Sequence, residues 1–265
     1  KSFKDFPPSI SFFILAIFSM LLWAPVGLIF GVQFDQWLLG SFVGVMSAIF
    51  GQAIYIYVLE KGELSITATI LASFSIYTII FSMLFNNERP TSLTLLFIAL
   101  TILGTIIVSL PEKLVKSELK KVSFILWAVF AAVCIGASDT LVKYYINNSS
   151  VGSFLFFVSF SQLVVSFIYL RLNKQPLNQF KEIISKYKDY KFALLGSLFI
   201  AVATMFLFLS FNFTLASIAS PIAASAPIVT VVLALIFLKE KITPKNWIGL
   251  VLVMLSVIAL GFLTA

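Results

Sequence analysis

Nine long apolar segments constrain this chain more than any other feature of its sequence. They run over residues 9–30, 37–59, 64–85, 93–110, 123–146, 151–171, 192–211, 215–238 and 246–264. A membrane-spanning helix needs about 20 mostly apolar residues, because the hydrocarbon core is roughly 30 Å thick. The runs are continuous rather than alternating, which argues against the strands of a membrane barrel. The sequence therefore predicts an all-α polytopic membrane protein.

Composition excludes several classes of function. The chain has no histidine and a single cysteine, Cys134, so we expect no histidine-dependent triad, no His-Cys metal site and no cofactor. Its net charge is +7, but the basic residues lie between apolar segments, where membrane topology explains them better than nucleic-acid binding does. We therefore expect neither an enzyme nor a nucleic-acid partner. The sequence leaves the oligomeric state open.

An internal repeat appears when the chain is shifted by 152 positions. Residues 44–106 then align with 196–258 without a gap, and fourteen of the 63 positions are identical. The polar matches carry the most weight, above all Glu88 with Glu240 and Thr91 with Thr243. We infer two repeats, at residues 1–111 and 112–265.

The same offset predicts an inverted arrangement. The apolar segment 123–146 would align with positions before residue 1, so four helices are visible in the first repeat and five in the second. We expect a ten-helix fold whose first helix is absent from this chain. A five-helix unit is odd in number, so its second copy enters the membrane from the opposite side, as in alternating-access transporters.

Two segments at this offset resemble a family signature. They are TILASFSIYTIIFSMLFNNERPTS (69–92) and PIAASAPIVTVVLALIFLKEKITP (221–244). Each contains an acidic–basic pair, Glu88-Arg89 or Glu240-Lys241. A glycine, Gly104 or Gly249, lies in the apolar segment that follows each of them. The chain resembles EamA-type drug/metabolite transporters over nearly its whole length. The resemblance implies a ten-helix secondary transporter with a central cavity, which exports amino acids or other small metabolites. The first copy departs from the pattern, with Thr69 and Ser75 where the second has prolines.

Asp139 and Lys143 are the clearest ionisable residues within a membrane segment. Such groups are costly there and are functional candidates by default. Their spacing of four places them on one helical face, where they can partly neutralise each other. We expect a substrate or proton site that binds zwitterions. The alternative is a snorkelling lysine with a local partner.

Uncharged polar and aromatic side chains supply the other substrate-binding candidates. Gln52 and Gln162 lie deep in apolar segments, where an amide can bind a substrate or join two helices. Tyr55, Tyr77 and Trp127 can form an aromatic cavity wall, although packing or lipid contact is the commoner role of such rings.

Other conspicuous residues are expected to be structural. The small residues Ala216, Ser220 and Ala224 recur every four positions and predict close helix packing. Pro221 and Pro227 can kink the same helix. Glu88 and Glu240 end their apolar segments, so we expect solvated carboxylates beside basic neighbours.

The hydrophilic linkers bear on topology. The linker 172–191 has apolar residues at helical spacing, and it forms either a short interfacial helix or a solvated loop. Of the 18 lysines and arginines, all but Arg89 and Lys143 fall on one side of the membrane, which places that side in the cytoplasm. The resemblance implies the opposite orientation.

Together these features predict a multi-pass transporter of the inner (plasma) membrane. Its expected partners are a small-molecule substrate and membrane lipids. A lipid-carrier flippase or a membrane-embedded lipid-modifying enzyme is the alternative, although an enzyme needs clustered acid–base groups and this chain offers only Asp139 and Lys143.

Overall fold

The computed structural model describes residues 7–61, 70–109, 122–175, 177–226, 228–229 and 243–264. Within these ranges the chain is helical apart from short connections, and it contains no strand there. The predictions for Pro227 and Glu240 lie outside the described residues.

The described helices follow the apolar segments of the sequence. They are α1 (Pro8–Phe30), α2 (Trp37–Met46), α3 (Ile54–Lys61), α4 (Phe74–Phe85), α5 (Ser92–Ser109), α6 (Val122–Asn148), α7 (Val151–Leu172), α8 (Leu177–Ser185), α9 (Tyr187–Ser210), α10 (Ala216–Ala224) and α11 (Pro244–Thr264). A π-helical turn, Ser47–Ala53, joins α2 to α3.

Six helical stretches in the described part of the chain are long and apolar enough to cross a membrane. They are Pro8–Phe30, Phe34–Val58, Ile125–Asn148, Val151–Leu172, Tyr187–Ser210 and Pro244–Leu263. Two further apolar helices, Ile70–Phe85 and Ser92–Val108, are shorter. The predicted all-α polytopic membrane fold is therefore confirmed.

Two details differ from the sequence-based expectations or decide between them. The segment expected at 192–211 begins earlier, because its helix starts at Tyr187 and includes the last charged residues of the linker. The first half of that linker is the helix α8, so the helical alternative is correct. Ile183 of α8 is fully buried against Ile10, Ile14 and Leu170, which explains why this polar segment folds onto the protein.

The chain divides into two compact units, each made of two segments. The first unit comprises Lys1–Lys61 and Leu141–Phe213, and the second comprises Gly62–Thr140 and Thr214–Ala265. Helix α6 therefore contributes its residues up to Thr140 to the second unit and the rest to the first. These units are not the predicted repeats, whose boundary at residue 111 stays a prediction.

In the first unit, α1 packs along α7. The helices approach closely at Gly27 and Gly152, because a Cβ at Gly27 would lie 2.7 Å from the Gly152 carbonyl oxygen. Phe12 contacts Tyr169 across the same pair, so the two helices run antiparallel. Trp23 is buried and donates its Nε1–H to the Ala201 carbonyl of α9 at 2.9 Å.

In the second unit, α5 packs against α11 at two facing glycines. A Cβ at Gly104 would lie 2.9 Å from the Gly249 carbonyl oxygen, and a Cβ at Gly249 would lie 2.9 Å from that of Gly104. Only glycine allows so close an approach of two backbones. The glycines of the signature are therefore the contact point of a helix pair.

Candidate functional site

The second unit contains a buried carboxylate, Asp139, in a polar cluster between three helices. Gly136 of α6 makes the cluster possible, because a Cβ there would lie 2.6 Å from the Cβ of Tyr77 and 2.7 Å from the Thr78 nitrogen. The close approach of α6 to α4 brings Asp139, one turn later, beside Thr78. Asp139 is only 4% exposed.

Two hydroxyl groups donate hydrogen bonds to this carboxylate. Ser220 of α10 donates to Asp139 Oδ2 at 2.7 Å, and Thr78 of α4 lies 3.4 Å from the same oxygen. The single hydroxyl proton of Thr78 is shared between this oxygen and the Phe74 carbonyl of its own helix, which lies 3.2 Å away. The hydrogen bonds that the structure gives Asp139 therefore come from neutral groups, which stabilise a carboxylate without cancelling its charge.

A second row of contacts ties the end of α4 to α6. The hydroxyls of Ser82 and Thr140 lie 3.3 Å apart, and Asn86 donates its Nδ2–H to the Thr140 carbonyl at 3.1 Å. Thr140 also donates to the Gly136 carbonyl. These bonds hold the two helices in the register that places Thr78 opposite Asp139.

Lys143 lies one turn after Asp139 on α6, in the part of the helix that belongs to the first unit. It is buried, and its ammonium donates to the Phe211 carbonyl oxygen of the same unit. A protonated lysine needs such acceptors when it is removed from water. The predicted spacing on one helical face is present, but these hydrogen bonds of Asp139 and Lys143 go to tertiary partners rather than to each other.

Gln162 is the most deeply buried amide among the predicted residues. It lies on α7 and is 1% exposed, and within the described structure neither its Nε2 nor its Oε1 has a hydrogen-bond partner. Ser19 Oγ of α1 is also buried and has no partner there. Because Phe12 meets Tyr169 and the helices are antiparallel, Ser19 lies at the level of Gln162. A buried amide in this state is ready to bind a polar group.

The remaining predicted residues lie nearer the surfaces of their units. Gln52 is half-buried in the π-helical turn, an element found frequently at functional sites. Tyr55 is half-buried beside the core around Phe12, and Tyr77 is half-buried next to Thr78. Trp127 is 49% exposed and packs edge-on against Phe130 of its own helix.

Sequence reasoning missed three residues of the cluster in the second unit. Thr78 was visible only as one of the repeat matches, and Ser220 only as a small residue in a packing row. Glu88 was expected to be solvated, and that expectation is wrong. Glu88 is 5% exposed, and its carboxylate accepts the backbone N–H groups of Ala216 and Ser217 at 2.9 and 3.0 Å.

The described residues contain no group of three or more His, Cys, Asp or Glu side chains that could hold a metal ion. The site around Asp139 offers a buried carboxylate and two hydroxyl groups that can rotate. Such an arrangement can bind a cationic group of a ligand, because the hydroxyls can turn to accept as well as donate hydrogen bonds.

Comparison with known proteins agrees with this architecture. The model of the EamA-like transporter family matches residues 1–110 and 122–262. An uncharacterized protein of Methanocaldococcus jannaschii is 29% identical over 103 residues, which cover 38% of this chain and 75% of that protein. A solved crystal structure superposes on 97% of this chain and 89% of its own with a TM-score of 0.70 at 13% identity, which shows a shared fold.

The family match confirms the resemblance that the two Glu-Arg/Glu-Lys segments indicated. Together with the long apolar helices, it identifies a multi-pass membrane transporter. Because the match spans nearly the whole sequence, the chain belongs to the EamA-like transporter family.

Proposed function

We propose that this protein is a secondary transporter of the plasma membrane, which exports a small metabolite such as an amino acid. Asp139 binds the ammonium group of the substrate. The observation that carries this proposal is a carboxylate buried in a membrane helix whose hydrogen bonds come from the neutral hydroxyls of Ser220 and Thr78. A bound cation would compensate the cost of keeping that charge out of water.

Lys143 is proposed to bind the carboxylate group of an amino-acid substrate. It lies four residues after Asp139 on the same helix, so the two charges share one helical face. A protonated lysine attracts a substrate carboxylate more strongly than it attracts a neutral carbonyl oxygen, because hydrogen bonds between charged partners are the stronger ones. The proposed substrate therefore carries both charges, as an amino acid does, whereas a sugar carries neither.

Gln162, Gln52, Tyr55, Tyr77 and Trp127 are proposed to contribute further contacts to the substrate. Gln162 supports this role best. Its buried amide has no partner in the described structure, which destabilises the protein until a ligand or water forms hydrogen bonds with it. Alternating access of two inverted repeats is the proposed mechanism, and the 152-residue repeat supports it. The family match does not favour a flippase or a lipid-modifying enzyme.

The proposal is tested by exchange in proteoliposomes loaded with unlabelled compound. Labelled amino acids, sugars and quaternary amines are offered outside, and protein-free liposomes serve as the control. We expect exchange of at least one amino acid, which other amino acids inhibit and sugars do not. Exchange of a sugar or a quaternary amine alone would overturn the assigned substrate class, and inside-out membrane vesicles test the direction of transport.

A further inference from the structure

Helix α10, which carries Ser220, lacks a cap of its own. The residue at its N-terminal cap is Leu215, whose side chain makes no capping hydrogen bond. The first N–H groups of a helix have no partner within it and need acceptors when they are buried. At 9 residues the helix is short, and Pro221 removes one of its internal hydrogen bonds. Its position therefore depends strongly on contacts from outside.

Glu88 supplies the missing cap from another part of the second unit. Each of its carboxylate oxygens accepts one N–H group, from Ala216 at 2.9 Å and from Ser217 at 3.0 Å. A negative charge at a helix N-terminus also interacts favourably with the helix dipole. Hydrogen bonds to a charged acceptor are about twice as strong as neutral ones, so this contact holds the first turn of α10 more strongly than a neutral cap would.

The local backbone explains why Glu88 points inward. Asn87 has a φ of +54°, in the left-handed region that asparagine tolerates better than most residues. The N–H groups of Asn86 and Glu88 both donate to the Ser82 carbonyl, which closes the end of α4 as a left-handed helix cap. This turn ends α4 directly before Glu88, whose side chain reaches the first turn of α10.

The capped amides and the Asp139 contact belong to neighbouring turns of one short helix. Ser220 follows Ser217 by three residues, so their side chains share a face and lie about 4.5 Å apart along the axis. The Ser220 hydroxyl is 2.7 Å from Asp139. A shift of α10 by half an ångström or more would lengthen that hydrogen bond beyond its normal range.

We propose that Glu88 is a positioning residue for the Asp139 site: it fixes the first turn of α10, and through it the Ser220 hydroxyl. This inference rests on the proposed role of Asp139 in binding substrate. It also gives the glutamate of the family signature a specific task in this chain, since the residue caps a helix that begins 128 positions later.

The test compares Glu88→Gln with Glu88→Asp. Glutamine keeps the length but loses the charge and one of the two acceptors, whereas aspartate keeps the charge on a shorter side chain. Glu182→Gln is the matched control, because it makes the same change at an exposed position on α8. Hydrogen–deuterium exchange of the peptide 214–224 reports the cap, and the concentration dependence of amino-acid exchange reports the site.

We expect Glu88→Gln to speed amide exchange in that peptide about tenfold or more, which corresponds to the loss of a hydrogen bond to a charged group. The KM for amino-acid exchange should rise about tenfold while the maximal rate changes little. Glu88→Asp should restore part of both effects, and Glu182→Gln should change neither. If Glu88→Gln does not insert into membranes, Glu88→Asp is judged by the same two readouts against the wild type.

A double variant separates positioning from general destabilisation. If Glu88 acts through Ser220, Glu88→Gln added to Ser220→Ala should raise KM no further than Ser220→Ala alone. Additive effects, or faster amide exchange with an unchanged KM, would overturn the proposal and leave the proposed function intact. If the wild-type protein exchanges no compound, the proposed function fails, whereas unchanged amide exchange in Glu88→Gln would refute the cap itself.

Discussion

The facing glycines of α5 and α11 allow a sharp test of the packing in the second unit. In Gly249→Ala, the new Cβ would lie 2.9 Å from the Gly104 carbonyl oxygen, 2.7 Å from Val108 Cγ2 and 3.0 Å from Ile107 Cγ2. The two side chains can rotate away, but the carbonyl oxygen belongs to the backbone of α5. The helices must therefore separate to accommodate the methyl group.

The separation sets the size of the effect. Ordinary contact begins at 3.4 Å, so α5 and α11 must move apart by about half an ångström at this point. A gap of that size removes roughly a quarter of the dispersion energy of each contact between the two helices. Overpacking of this kind costs about 1–3 kcal/mol, offset by roughly 1 kcal/mol because alanine favours a helix over glycine. We expect a net loss of up to about 2 kcal/mol relative to the wild type, and a loss of about 1–3 kcal/mol relative to a glycine-to-alanine change that meets no contact.

Thermal unfolding in detergent measures this loss, and Gly261→Ala is the control on the same helix. A Cβ at Gly261 would meet no atom within 4 Å. Gly249→Ala should lower Tm by up to about 8 °C, and Gly261→Ala should leave it equal or higher. Gly104→Ala combined with Gly249→Ala should cost less than the sum, because one separation accommodates both methyl groups. Equal Tm values for Gly249→Ala and Gly261→Ala would refute the close contact.

Three further predictions follow from other contacts. Gln162→Met should raise the free energy of unfolding by about 1–3 kcal/mol, because it removes a buried amide that has no hydrogen-bond partner in the described structure. The same variant should weaken amino-acid exchange. A lower Tm would show that the amide is already satisfied. The hydrogen bond and charge of Glu182 raise the pKa of Lys186, so this pair stabilises the fold below the usual lysine pKa and the benefit disappears as pH rises through the raised value. Glu182→Gln should therefore lower Tm slightly at pH 7, where the pair is intact, and remove the loss of Tm that the wild type shows from about pH 9 to 12. Lys186→Cys, in a Cys134→Ser background, should react with a membrane-impermeant maleimide only after cells are permeabilised, because the charge bias places this side in the cytoplasm; ready labelling of intact cells would reverse the orientation.

Local sequence patterns predicted the helices well. Apolar length located the spans, and the break between the apolar segments 192–211 and 215–238 is the connection between α9 and α10. Helical spacing in the linker indicated α8, whose Ile183 is buried as that pattern requires. These features depend on residues within one or two turns of each other, which is the distance over which sequence periodicity is informative.

The polar cluster could not be predicted because its partners are distant in the chain. The hydrogen bond from Ser220 to Asp139 spans 81 positions, and Glu88 caps a helix 128 positions away. The i,i+4 spacing indicated that Asp139 would pair with Lys143, but the tertiary hydroxyls of α4 and α10 supply the hydrogen bonds instead. The burial of Glu88 depends on a left-handed turn at Asn87, which a Glu-Arg pair at the end of an apolar run does not reveal.

The central claim is that the Asp139 carboxylate binds the ammonium of the substrate, and amino-acid exchange by charge variants in proteoliposomes tests it most directly. Asp139→Asn keeps nearly the same shape and should insert normally, but it should lower exchange at least about thirtyfold, because it removes one partner of a buried charge pair. Adding Lys143→Met should not restore activity, since the substrate would then lose both of its charged contacts. Wild-type exchange by the double variant Asp139→Asn/Lys143→Met would contradict the substrate role of Asp139.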